Sequence, residues 1–183
     1  VLTVSVMTPH KAIEAVIDAL ALLHARGIPA TLRLVGPWAQ LAYRRRIERR
    51  VERLGLANVV HLQGHVSDPA LHALYARARV FCLLSRCESF GLPAVEAQAF
   101  GTPSVVADAA AASEIAGPGG LVVPPDDPYA CADALELLLG NREAWIQASA
   151  AARLNAERFR WSVSSRALIE QLFCLDVIGT QSS

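Results

Sequence analysis

The sequence has no excess charge of either sign: 17 Lys and Arg face 17 Asp and Glu in 183 residues. Without a global field the chain has no long-range means of collecting nucleic acid or an anionic membrane, and any anion site must be local. Long apolar runs are also missing. Gly, Pro or a charged residue interrupts every apolar stretch well before the roughly 20 positions of a membrane-spanning helix, so a soluble domain is expected. The four cysteines, Cys82, Cys87, Cys131 and Cys174, include no Cys-x-x-Cys. Zinc ribbons and dense disulfide frameworks lose their sequence basis, and reduced thiols are expected. Aromatic residues make up only 6%, and Trp38, Trp145 and Trp161 are too scattered to form a stacking platform for single-stranded nucleic acid. The Gly-x-Gly-x-x-Gly of dinucleotide enzymes is missing as well, since Thr8-Pro9-His10-Lys11 follows the first apolar run without a glycine, which disfavours a nicotinamide or flavin oxidoreductase. No charged segment followed by an apolar one marks a secretory leader, and the opening at Val1 reads as a cut from a longer protein.

What is there is apolar. Hydrophobic residues reach 53% and mean hydropathy is +0.32, too high for a disordered chain, and the length suits one domain burying about 70% of its unfolded surface. Six short β-branched runs, at 2–6, 31–35, 59–62, 80–84, 104–106 and 121–123, read as strands. Helical stripes lie between them: Ile13, Val16, Ile17, Leu20 and Leu23 share one face over 11–26, and Ile47, Val51 and Leu54 share one over 41–54. Gly27, Gly55 and Gly101 stand where helix ends want a left-handed residue. Continuous apolar strands alternating with helices predict an α/β fold, a doubly wound parallel sheet of about six strands, Rossmann-like and covered on both faces. Beyond Pro124-Pro125-Asp126-Asp127-Pro128 the strand signal stops. Segments 129–139, 142–158 and 162–175 read as extra helices, 1–175 as one domain and 176–183 as a disordered tail. The arginines at 44, 45, 46, 49, 50 and 53 surround their helix and alternate with Glu48 and Glu52, so a solvated face is expected there rather than contact with anionic lipid.

In a doubly wound sheet ligands bind outside the carboxyl ends of the strands, so the loops after each strand carry the candidates. The first loop puts Lys11 in the first turn of the next helix, where its charge opposes the helix dipole at a cost of roughly a few tenths of a kcal/mol. Either a phosphate sits between it and the free N–H groups, or its ammonium reaches water. In the second loop Gly36 either lets a ligand approach the backbone or simply turns the chain. The third holds Gly64, His65 and Val66, with His65 exposed or, less favoured, a catalytic base. The fourth says most. Glu88 precedes the Gly91-Leu92-Pro93 turn, and Glu96 falls about a turn and a half inside the helix that follows, among Leu92, Val95, Ala97 and Phe100. A carboxylate buried there costs on the order of several kcal/mol unless hydrogen-bonded, and either ribose hydroxyls or the backbone of a neighbouring loop would serve. The N–H groups of Phe90, Gly91 and Leu92 at the helix start offer a second place for an anion or a hydroxyl.

Glu88-Ser89-Phe90-Gly91-Leu92-Pro93-Ala94-Val95-Glu96 resembles the E-x7-E signature, with its internal Phe-Gly-Leu-Pro, of the retaining nucleotide-sugar glycosyltransferases of family 4 (group 1), which have the GT-B fold. The likeness runs in order along nearly the whole chain, through Thr8 to Lys11, Leu34 to Gly36, Val60 to Val66, Tyr75 to Ala78, Ala97 to Pro103, Ser113-Glu114 and Gly120 to Pro124. It implies the C-terminal, donor-binding half of such an enzyme, with the N-terminal acceptor domain of the same polypeptide absent, so that this fragment alone is expected to be inactive. The resemblance puts Lys11 on the donor diphosphate, Glu88 on hydroxyls of the transferred sugar and Glu96 on the nucleoside ribose. Ser89, Phe90, Gly91 and Leu92 would line sugar and phosphate with backbone N–H groups, Gly36 would let the donor approach, and the main chain of Gly64, His65 and Val66 would hold the base. Lys11 and Glu88 are the catalytic residues on this reading. No metal and no cofactor is implied, because Lys, Arg and the helix N-terminus neutralise the leaving diphosphate. The implied partners are a nucleotide-diphosphate sugar and a carbohydrate or lipid-linked acceptor. The implied setting is polysaccharide or glycolipid assembly in the cytoplasm, or peripherally at the inner membrane face.

The chain departs from the family at three places. Ser5-Val6 stands where Gly-Arg is usual and the arginine grips the diphosphate, Ala12 where a glycine follows the lysine, and Ala109 to Ala112 where glycines often precede the late glutamate. One charge-assisted bond to phosphate is worth about 1.5–3 kcal/mol, so either another cation, His10 or Arg86, substitutes for it or turnover is weak. Val6 therefore argues for an alternative: a non-catalytic nucleotide- or sugar-binding GT-B-like regulatory module.

Overall fold

A computed structural model of the chain describes residues 1–109 and 111–165. The apolar runs form β1 (Leu2–Val4), β2 (Leu32–Val35), β3 (Val60–Gly64), β4 (Phe81–Leu83), β5 (Ser104–Ala107) and β6 (Gly120–Val123). Every neighbouring pair is parallel, in the order β3-β2-β1-β4-β5-β6. Successive strands are joined by α1 (Ile13–Ala25), α2 (Leu41–Arg53), α3 (Asp68–Arg77), α4 (Leu92–Ala99) and α5 (Ala112–Ala116). After the sheet come α6 (Pro128–Gly140), α7 (Arg142–Glu157) and the short α8 (Trp161–Ser164). The helix expected over 162–175 lies, beyond Ser165, outside the described residues, as does the tail. No helix among the described residues is long and apolar enough to cross a membrane.

Alternate side chains of one strand enter two different buried clusters. Phe81 and Leu83 join Leu2, Val106, Tyr75 and Ala97 on one side of the sheet, while Cys82 and Leu84 join Leu32, Leu34, Val105 and the apolar stripe of α1 on the other. β1, β4 and β5 are covered on both faces, whereas β2, β3 and β6 keep exposed positions at Arg33, Gln63 and Val122. Thr3, fully buried in β1, donates its hydroxyl to the Cys82 carbonyl at 2.7 Å and so avoids the penalty of an unpaired group. Gly27, Gly55 and Gly101 take the left-handed conformation expected of them at helix ends.

α7 is fastened back onto the domain by a buried amide network. Asn155 Nδ2 donates to Gln98 Oε1 (2.7 Å) and to the Ile115 carbonyl (2.8 Å), and Gln98 Nε2 donates to Ser104 Oγ (2.9 Å) and to the Ala116 carbonyl (2.8 Å). The network ties α4 and α5, the helices that follow the fourth and fifth strands, to one scaffold. The strand order reverses between β1 and β4, and at such a reversal the loops on the carboxyl side part to leave a crevice.

Candidate functional site

β1 leads out through Ser5 to Thr8 into a 3-10 turn at Pro9–Lys11, and β4 leads out through Ser85 to Phe90. The two exits are stitched together. The Arg86 N–H donates to the His10 carbonyl (2.8 Å) and its guanidinium to the Pro9 carbonyl (2.7 Å), while Ser85 Oγ donates to the Cys87 carbonyl (2.7 Å). As a result Lys11 and Glu88 meet across 77 positions of sequence: Nζ lies 2.6 Å from Oε2, with the side chains only 12% and 14% exposed. With most water excluded, their attraction is screened less than that of a surface pair.

The expected place of Lys11 needs correcting. Pro9 starts a 3-10 turn and Ala12, in the left-handed region (φ 49°), ends it, so that α1 begins only at Ile13. Lys11 thus sits outside the first turn of α1, and its charge is met by Glu88 rather than by water. Only one of its three ammonium donors is used on Glu88, which leaves two for a further acceptor. Holding the buried Ala12 in a left-handed conformation costs roughly 1–2 kcal/mol.

Gly91 opens α4 at φ 86°, close enough to Glu88 that a Cβ would lie 3.5 Å from its Cγ. The backbone N–H groups of Phe90, Gly91 and Leu92 have no acceptor among the described residues, the ordinary condition of a helix start. Ser89 is exposed beside them, and the Phe90 ring packs edge-on against Phe159 with centroids 5.7 Å apart.

Glu96 is exposed, against the expectation of burial. α4 turns Ala94, Val95, Ala97 and Gln98 inward and leaves Leu92, Glu96 and Ala99 on one outer row. Its partner is neither a loop backbone nor Glu88's neighbour Lys11 but Tyr75, whose hydroxyl donates to Oε2 at 2.7 Å. Tyr75 is buried, stacked on Phe100 (centroids 5.9 Å) and tilted against Phe81 (6.4 Å). Burial first, and then the Glu96 carboxylate, push the phenol up from its ordinary value, so it remains a proton donor.

The other candidates flank this pair on the same side of the sheet. Gly36 ends β2 at φ 130°, where a Cβ would fall 1.9 Å from the Ser5 carbonyl oxygen, and its N–H donates to the Gly64 carbonyl (2.7 Å). The turn therefore needs glycine whatever else passes it. His65 is exposed, and Val66 packs beside the cluster containing Tyr75. Val6 is 52% exposed and brings no charge. Arg86, one of its candidate substitutes, is already engaged: Nε and Nη2 hold both Asp126 oxygens at 2.7 and 2.6 Å. His10, the other, has its ring 3.1 Å from Thr8 Oγ1. Sequence reasoning missed the Tyr75–Glu96 and Arg86–Asp126 contacts, which join positions 21 and 40 apart and leave no periodic trace.

A parallel, doubly wound domain with opposed charges at its switch point defines a broad class, and known proteins narrow it. Residues 1–155 match the family model described as "Glycosyl transferases group 1", and the chain belongs to that family. The D-inositol 3-phosphate glycosyltransferase of Jonesia denitrificans is 33% identical over 159 residues, 84% of this chain and 38% of that protein. The MMP alpha-(1->4)-mannosyltransferase of Mycolicibacterium hassiacum is 40% identical over 118 residues, 62% of this chain and 29% of that one. Among solved structures, Anabaena HepE in complex with UDP and glucose superposes with a TM-score of 0.83 at 26% identity, over 93% of this chain and 47% of the other. The six-stranded sheet is thus the Rossmann-like half found in GT-B glycosyltransferases, and the chain spans less than half the length of each of these three proteins.

Proposed function

We propose that this chain is the donor-binding half of a retaining, metal-independent glycosyltransferase of family 4 that uses a nucleotide-diphosphate sugar. The observation that carries the reading is the Lys11–Glu88 pair at the strand-order reversal, beside a helix start with unpaired N–H groups. Lys11 turns its two remaining donors to the diphosphate, Glu88 accepts from hydroxyls of the transferred sugar, and the N–H groups of Phe90, Gly91 and Leu92, with Ser89 beside them, line sugar and phosphate. Glu96 takes the ribose hydroxyls, and Gly36 and the Gly64-His65-Val66 main chain border the base. The bond from the anomeric carbon to the diphosphate breaks as that carbon bonds the acceptor oxygen on the same face, and the acceptor's proton passes to the leaving phosphate. Lys11 and the helix N-terminus stabilise the charge that develops there. The UDP-bound HepE supports a nucleotide-sugar donor for a domain of this fold, and the names of the relatives support glycosyl transfer.

The acceptor, a carbohydrate or a lipid-linked molecule, would be bound by an N-terminal domain outside this chain, so the chain alone is expected to show no acceptor-dependent turnover. Its setting would be polysaccharide or glycolipid assembly in the cytoplasm or at the inner membrane face. Titration calorimetry with UDP, GDP and ADP and their sugar conjugates tests the reading. One nucleotide should bind, and Lys11→Ala and Glu96→Ala should each weaken it by about tenfold or more. Failure of the folded protein to bind any of them overturns it. A second reading, a binding module without turnover, is favoured by Val6, which brings no charge, and by the engagement of Arg86 with Asp126, which occupies one of the two candidate substitutes. Nucleotide binding without transfer, once the missing domain is supplied, would select it.

A further inference from the structure

We propose that Tyr75 is the positioning residue of Glu96: its buried hydroxyl holds the exposed carboxylate in the one orientation that accepts both hydroxyls of a ribose, and so sets the preference for ribonucleotides over 2′-deoxyribonucleotides. The proposal rests on the reading of Glu96 as the ribose ligand and adds the group that aligns it.

Glu96 stands on the outer row of α4 between Leu92 and Ala99, neither of which can hold a carboxylate. An exposed glutamate there would sample many rotamers. Tyr75 is held in place: the residue is 1% exposed, its ring packs against Phe100 and Phe81, and its carbonyl accepts from Thr102 Oγ1 at 2.7 Å. Its single O–H is directed at Oε2, 2.7 Å away. A carboxylate has about four acceptor sites, so Oε1 and the second lone pair of Oε2 remain free, and adjacent hydroxyls on one ring offer two donors to match them. Packing alone does not call for the hydroxyl, since phenylalanine would fill the same ring site.

The test is calorimetric titration of the whole 183-residue chain with UDP, GDP and ADP and the 2′-deoxy form of each. Wild-type protein should prefer the ribonucleotide that binds best by about tenfold or more over its 2′-deoxy form. Tyr75→Phe should cut that preference about three- to tenfold by weakening the ribonucleotide while leaving the 2′-deoxy affinity within about twofold. Equal weakening of both forms, or an unchanged preference, overturns the proposal and marks Tyr75 as a packing residue. If the preference survives in Tyr75→Phe but disappears in Glu96→Ala, the ribose reading stands and the positioning role falls. If wild type has no preference, or binds none of the six, both fall. Should Tyr75→Phe not fold, the wild-type protein answers instead. With its three tyrosines labelled by carbon-13 at Cζ, the resonance displaced in the surface variant Glu96→Ala identifies Tyr75. That resonance should move on adding the ribonucleotide and move less with the 2′-deoxy form. Equal movement contradicts the proposal.

Discussion

At the amino ends of the strands the chain leaves a cavity of about 530 Å³ with Arg33, Arg77 and Arg79 in its lining and, among the described residues, no acidic side chain there. At the carboxyl ends it brings Lys11 within 2.6 Å of Glu88 and places Glu96 one helical turn away from the free N–H groups of Phe90 to Leu92. The first end is hollow because α3, α6 and the strand starts do not fill it. One of its cations is moreover occupied, with Arg79 Nε donating to the Leu138 carbonyl and its guanidinium lying 4.2 Å from the Trp145 ring centre. The second end is assembled: three loops from distant parts of the chain are tied by hydrogen bonds so that opposite charges converge. Volume is thus a poorer guide to this domain's chemistry than the convergence that the strand-order reversal creates.

Substitutions can break this contrast. Gly36→Ala should do the most damage, because the new Cβ meets the Ser5 carbonyl oxygen at 1.9 Å on a backbone that disfavours any side chain. Urea denaturation should show a loss of more than about 3 kcal/mol, or no folded protein, whereas Arg33→Ala at the other end should stay within about 0.5 kcal/mol. Asn155→Ala comes next. It removes the donors to Gln98 Oε1 and the Ile115 carbonyl, so about 2–3 kcal/mol should disappear from the same measurement, with α4 and α5 loosened together.

A smaller effect is expected in alkali. The Tyr75 phenol is raised by burial and by Glu96, so the unfolded chain ionises first. Stability from this group is complete below about pH 10 and falls as pH rises above it. Denaturation midpoints followed upward from about pH 9 should decline less steeply in Tyr75→Phe, with Tyr43, also raised, left to supply the remaining slope. Ala12→Gly should change least. Relief of the left-handed alanine, roughly 1–2 kcal/mol, is opposed by the loss of a buried methyl and the freedom of glycine in the unfolded chain, together of similar size. A change in unfolding free energy beyond about 1 kcal/mol either way would show that one of these opposing costs has been misjudged.

β1, β4 and β5 were legible because they are buried on both faces and read as apolar runs, as in Val80 to Leu84, whereas β2 and β3 carry Arg33, His61 and Gln63 between their apolar residues. The helix ends at Gly27, Gly55 and Gly101 were legible because left-handed residues leave a mark in the sequence. The site was legible only in its local part. Phe90-Gly91-Leu92-Pro93 announces a helix start, but nothing local joins Lys11 to a glutamate 77 positions on. The 3-10 turn before α1 was hidden because alanine is a poor signal for a left-handed residue. Glu96 was misplaced by its apolar neighbours, although the spacing of Leu92, Glu96 and Ala99 already describes an outward helical row. Asp126, lost in a proline-rich loop, gave no sign that it would claim Arg86.

The most direct test of the central contrast is hydrogen–deuterium exchange of the chain with and without the nucleotide it binds best. Slowed exchange at the N–H groups around Gly64 to Val66 and Phe90 to Leu92, with none at Thr31 to Arg33 and Arg77 to Arg79, is the predicted result. Protection confined to the cavity at the amino ends of the strands would contradict the account and move the site to the opposite end of the sheet.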